Sequence, residues 1–104
     1  MNNFFLDIPD KLPAELFDTL VESDAVRIER IISRGHMTPA GQWYDQDRHE
    51  WVLLLRGAAR LAFADGRELE LGPGEWLEIP AHHRHRVAWT DPAQDTVWLA
   101  VHYA

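Results

Sequence analysis

From Ala25 to the C-terminus, turn signals recur so closely that no long helix fits between them. The segment Gly35 to Gly41 (containing Pro39), Gly57, Asp65-Gly66, Gly72-Pro73-Gly74, Pro80 and Asp91-Pro92 cut the chain into short runs. Glycine supplies backbone angles that other residues avoid, and proline removes a hydrogen-bond donor, so both interrupt regular structure. The runs between them are rich in β-branched, leucine and aromatic residues. Val26-Arg27-Ile28-Glu29-Arg30-Ile31-Ile32 alternates apolar and charged residues, as a half-buried strand does. Trp43 to Arg56 reads as a long strand region ending at Gly57. Ala59 to Ala64 and Arg67 to Leu71 read as the arms of a hairpin around Asp65-Gly66, a pair that favours a type I′ turn. Trp76 to Ile79, His85 to Thr90 and Thr96 to Tyr103 complete about seven short strands. This spacing predicts an all-β sandwich or barrel.

Residues 1–24 read differently. Leu16-Phe17 and Leu20-Val21 are spaced to share one helical face, and Pro13 suits a first helical turn. The expected organisation is an N-terminal segment over 1–24, with a short helix packed on the outside of a β-barrel over 25–104. Of the 17 acids behind the net charge of −7, six fall in residues 1–24, where Lys11 is the one base. Nothing resembles the basic patch that nucleic-acid binding requires. No cysteine is present, which excludes disulfides, thiolate catalysis and zinc-finger sites. No apolar run approaches the ~20 residues of a membrane span, and the start has no basic, then apolar, leader pattern. A cytoplasmic protein with no membrane and no nucleic-acid partner is expected. The five Trp, four Phe and two Tyr suggest a pocket or an interface as well as a core.

Two stretches resemble the paired sequence motifs of the cupin superfamily. Its first motif runs G, five residues, H-x-H, three or four residues, E, six residues, G. Glu50 is followed by six residues and Gly57, which matches the second half. The second motif runs G, five residues, P-x-G, two residues, H, three residues, N. Gly74, Pro80 and His85 match, while His82 stands at the glycine and Trp89 at the asparagine. The Asp-Gly hairpin lies between the two motifs, and the resemblance spans roughly residues 26–103. It implies a small cupin-type jelly-roll β-barrel with a short N-terminal helical segment, and a pocket that takes a small molecule beside a divalent metal ion such as Zn, Ni, Fe or Mn. Only Glu50 and His85 carry over as metal ligands. The two family histidines would fall at Tyr44 and Gln46, or at Trp43 and Asp45 with the longer spacing.

Residues 44, 46 and 50 share strand parity, so on one strand all three point into the barrel. Gln46 is therefore the expected third ligand, through a side-chain oxygen weaker than imidazole or carboxylate. Asp45 and His49 should face the other way. Tyr44 and Glu50 are the candidate catalytic groups, Tyr44 as proton donor or orienting hydroxyl. His102 on the final strand and His36 in its loop are further pocket candidates, and Arg56 or Arg60 a possible carboxylate anchor. In the tract His82-His83-Arg84-His85-Arg86, one inward histidine is expected. A plainly structural reading stands beside these: Glu50 as a buried carboxylate paired with Arg56 or Arg60, and His85 as a hydrogen-bonded core histidine.

The resemblance implies a metal-dependent oxygenase, isomerase or decarboxylase, with the metal as Lewis acid or activator of oxygen or water. A non-catalytic ligand-binding or scaffold protein is the alternative, supported by the missing histidines. A metal-free sugar or sugar-nucleotide epimerase with His85 as base is a third. The runs Trp51 to Leu55 and Trp98 to Val101 are apolar on both faces, which suits burial by the barrel on one side and by a partner on the other. A homodimer is expected.

Overall fold

Eight strands account for the regular structure of the computed structural model, which describes residues 2–104. They are β1 (Leu16–Glu22), β2 (Val26–Ser33), β3 (His49–Arg56), β4 (Ala59–Phe63), β5 (Glu68–Leu71), β6 (Trp76–Ile79), β7 (His85–Thr90) and β8 (Thr96–Tyr103). Five form one sheet in the order β1-β2-β8-β3-β6, and three form the other, β5-β4-β7. Every pairing is antiparallel. Val52, Leu54, Ile79 and Trp98 from the first sheet share one buried cluster with Leu61 and Phe63 from the second. The expectation of an all-β jelly-roll barrel therefore holds. No helix long and apolar enough to cross a membrane is present among the described residues.

The N-terminal helix is not there. Leu16–Glu22 is a strand on the sheet edge, paired with β2. Seven residues are too few for a helix to sustain itself, and the backbone groups of β2 offer a ladder instead. The register slips between Thr19 and Val21, so a bulge at Leu20 absorbs a spacing that reads as helical in the sequence. The segment before β1 does pack on the barrel. Arg30 is 7% exposed and donates to the carbonyls of Phe4 (3.2 Å) and Leu6 (2.6 Å) and to Asp18 Oδ2 (2.6 Å). Arg34 donates to the Asp10 carbonyl at 2.7 Å and pairs with Asp95 at 2.7 Å.

Two further expectations are corrected. The strand expected from Trp43 begins only at His49. Tyr44 instead bridges to His85 on β7, its N–H donating to the His85 carbonyl at 2.7 Å. Residues 45–48 then carry the chain from the smaller sheet across to the larger. The hairpin sits where Asp65-Gly66 places it, but the turn is not type I′, because only Gly66 has positive φ (98°). The Gly66 N–H donates to the Phe63 carbonyl, and Asp65 Oδ1 accepts from the Arg67 N–H at 2.9 Å. Asp65 thus stabilises the turn with its side chain.

The second turn of consequence is at Gly57, with φ of 96°. A Cβ there would lie 2.6 Å from Thr96 Cα and 2.7 Å from the Asp95 carbonyl oxygen. The glycine of the first motif is thus imposed by close approach of the β8 backbone. At the glycine position of the second motif the backbone is also left-handed, and His82 adopts it with φ of 62°.

Candidate functional site

The central strands of the larger sheet bring four ionisable side chains together. Glu50 on β3 lies directly across from His102 on β8, and Arg27 on β2 lies across from His102 on the other side. Strand periodicity puts Arg27, Glu29 and Ile31 on one face of β2. The sequence pattern suggests apolar-in, charged-out for this strand; the structure reverses it. Arg27, Glu29 and Ile31 line a cavity of about 240 Å³ between the sheets, while Arg30 and Ile32 lie buried on the opposite face.

Glu29, Glu50, His85 and His102 are all buried. His102 Nε2 donates to Glu29 Oε1 at 2.8 Å and lies 3.8 Å from Glu50 Oε2. His85 Nε2 lies 3.5 Å from Glu50 Oε1. Glu50 therefore sits between two imidazoles. His85 Nδ1 is 2.9 Å from the His83 carbonyl oxygen, an acceptor only, so it must carry a proton. That leaves Nε2 as the atom that gains or loses a proton toward Glu50. Burial pushes the His85 imidazole toward its neutral form. The hydrogen bond and charge of Glu50, together with the His83 carbonyl, outweigh it and raise the pKa above the ordinary value.

Tyr44 stands beside this pair, its ring centroid 5.6 Å from that of His85. Burial, the Glu15 carboxylate and Glu50 raise the phenol pKa against an opposing hydrogen bond with Thr38. Tyr44 is thereby held as a protonated donor. Gln46 lines the same cavity, and its backbone carbonyl accepts from the His82 N–H at 2.7 Å.

Most of the expected site residues converge. Tyr44, Gln46, Glu50, His85 and His102 all line the one cavity. Parity alone did not put them there, since Tyr44 and Gln46 precede the start of β3; the crossing segment aims them. His36 does not join them: its Nδ1 accepts from the Arg34 N–H at 2.9 Å within its own loop. Arg56 and Arg60 do not either. Arg56 lies over the Phe5 ring at 4.2 Å, and Arg60 reaches Glu70 at 3.5 Å. Neither pairs with Glu50. Asp45 bonds His82 at 2.8 Å, and His49 accepts from the Ala81 N–H at 3.0 Å, so both turn away as expected. Of the histidine tract, His85 alone lines the cavity. The sequence reading missed Arg27 and Glu29, because charged residues on an alternating strand read as a solvent face, and Glu15, because it lies in the acidic segment just ahead of β1.

The donor set meets a divalent ion only in part. An ion ~2.1 Å from each donor sets tetrahedral neighbours roughly 3.4 Å apart. The separation of Glu50 Oε1 from His85 Nε2, 3.5 Å, matches one such edge. His102 Nε2 is taken by Glu29, and Gln46 offers an amide. Among the described residues, no three His, Asp or Glu side chains are grouped to hold a metal.

Comparison with known proteins agrees with the fold. A sequence profile of the cupin domain matches residues 33–102. No curated protein matches the sequence. Among solved structures, a candidate mannose-6-phosphate isomerase from Ralstonia eutropha JMP134 is 47% identical with a TM-score of 0.94, covering 99% of this chain and 96% of that one. A cupin superfamily protein from Desulfitobacterium hafniense DCB-2 is 23% identical with a TM-score of 0.76, covering 92% and 83%. The polyketide cyclase RemF from Streptomyces resistomycificus is 25% identical with a TM-score of 0.72, covering 86% and 64%.

Proposed function

The chain belongs to the cupin domain family, and on that premise we propose that its cavity binds a small molecule on which Glu50 and His85 act as an acid–base pair. The observation that carries this is the placement of Glu50 between two imidazoles in a partly open cavity, with His85 Nε2 3.5 Å from its carboxylate. A proton held between these groups can be delivered to, or taken from, a bound molecule. Tyr44 supplies a neutral hydroxyl to orient an oxygen, and Glu29 fixes the orientation of His102. Proton transfer between neighbouring carbons is the chemistry of an isomerase, the activity suggested for the Ralstonia protein. The test is solvent-deuterium exchange, followed by NMR, into small hydroxycarbonyl compounds in a Tm-shift panel. Wild type should exchange a carbon-bound proton and Glu50→Gln and His85→Asn should not. Equal exchange in all three, or in none, would sink the proposal.

One observation favours a second reading, the 3.5 Å edge between Glu50 and the tethered His85. Gln46, Glu50 and His85 would hold a divalent ion, which would supply Lewis acidity. Metal analysis of untagged protein discriminates: about one equivalent that disappears in Glu50→Ala supports it, and a trace amount unchanged by that substitution rejects it.

We also infer a homodimer. On β3 and β8 the outward residues Trp51, Leu53, Leu55, Leu99 and Val101 are only partly buried within one chain. Trp76, next to Trp51 at a centroid distance of 5.6 Å, is 61% exposed. An apolar surface of this kind suits a second copy.

A further inference from the structure

The charge of the cavity wall restricts what it can accept; this step rests on the reading that the cavity binds a small molecule. We infer that the ligand is a small neutral or cationic molecule with an apolar body, and not a phosphorylated sugar.

Three carboxylates, Glu15, Glu29 and Glu50, line the cavity against one guanidinium, Arg27. Arg27 is already opposed, its Nε 3.7 Å from Glu29 Oε2. The imidazoles are engaged too, His102 by Glu29 at 2.8 Å and His85 beside Glu50. A neighbouring cavity of about 300 Å³ shares Arg27, Gln46 and His102 with the first. It adds Asp45 and Asp47 against Arg48 and His82, with His82 bonded to Asp45. Neither cavity therefore offers a free cationic cluster. A phosphate requires strong donors or cations around its oxygens, and here it would meet carboxylates in a poorly solvated space, where like charges repel most.

What the wall does offer is apolar surface. Ile31, Val52, Leu61, Ile79 and Val87 contribute aliphatic groups. Trp98, 4% exposed, adds an aromatic side chain to the lining. The volume lies below the ~300 Å³ at which drug-sized sites begin, so the ligand is small.

The test uses the full chain and four probes: benzylamine, benzyl alcohol, benzoate and mannose 6-phosphate. Binding is followed by NMR shifts of cavity residues and by calorimetry. Benzylamine and benzyl alcohol should bind about tenfold or more tighter than benzoate, and mannose 6-phosphate should not bind. Glu15→Gln, which keeps an acceptor oxygen for the buried Ser33 hydroxyl now 2.6 Å from the Glu15 carboxylate, and Glu29→Gln should each narrow the gap between benzylamine and benzoate. Benzoate or mannose 6-phosphate binding as tightly as the amine overturns the charge assignment while leaving the cavity as a binding site. If no probe moves a cavity resonance, the reading of the cavity as a ligand site fails, and the inference with it.

Discussion

His102 and Glu29 form a buried hydrogen bond, Nε2 to Oε1 at 2.8 Å, across the β2–β8 pair. The sequence separates the two residues by almost the whole barrel, and the antiparallel ladder brings them together. The bond fixes which His102 nitrogen carries a proton and turns the imidazole toward Glu50, which lies 3.8 Å away.

Removing Glu29 should therefore cost stability. Glu29→Ala leaves a buried imidazole N–H without its acceptor, a loss of ~1–3 kcal/mol. Glu29→Gln keeps an acceptor oxygen and should cost less. Urea denaturation of the two variants checks the order; equal stability to wild type in Glu29→Ala would show that the bond contributes nothing.

The motif glycines should respond unequally. At Gly57 an added Cβ meets the Thr96 and Asp95 backbone below 3 Å in a left-handed conformation. Gly57→Ala should cost about 3 kcal/mol or more. Gly74 also has positive φ but open space around it, so Gly74→Ala should cost only ~1–2 kcal/mol. A Gly74→Ala loss as large as that of Gly57→Ala would contradict the close-approach argument.

His82 holds a left-handed backbone with φ of 62°, and an exposed bond to Asp45 is the visible return. His82→Gly should raise thermal stability by up to ~1 kcal/mol. Destabilisation instead would give the His82–Asp45 pair more weight than its exposure suggests.

Arg30 ties residues 4–7 to the outer face of β2. Arg30→Met should release that segment, speed proteolysis ahead of β1 and cost on the order of 2–3 kcal/mol. Unchanged cleavage would mean that other contacts hold it.

These contacts show where the sequence was readable. Turn residues mark nearly every strand boundary because glycine, proline and aspartate impose local geometry whatever surrounds them. Glu50 and His85 are legible through spacing. The Leu16–Val21 pattern misleads, because the bulge at Leu20 gives an edge strand a helical spacing. Arg27 and Glu29 are hidden for a different reason. Alternation shows that β2 has two faces, but which face meets the cavity depends on the N-terminal segment covering Arg30 on the other side. That covering is a long-range contact with no local signature.

The outward apolar residues of β3 and β8 predict that light scattering at micromolar concentration gives twice the chain mass of 12.0 kDa. Trp51→Glu should shift it toward the monomer. A monomer mass for wild type would refute the dimer.

The acid–base pair itself is tested most directly by NMR titration of the His85 imidazole in wild type and Glu50→Gln, with metal removed by chelation. His85 should titrate above the ~6.5 of a free imidazole, because Glu50 and the His83 carbonyl outweigh burial. In Glu50→Gln the carboxylate charge is gone, burial dominates, and the value should drop. The proton that His85 shares with Glu50 would then be lost at lower pH. A His85 that titrates at or below 6.5 in wild type, or that does not respond to Glu50→Gln, would contradict the account.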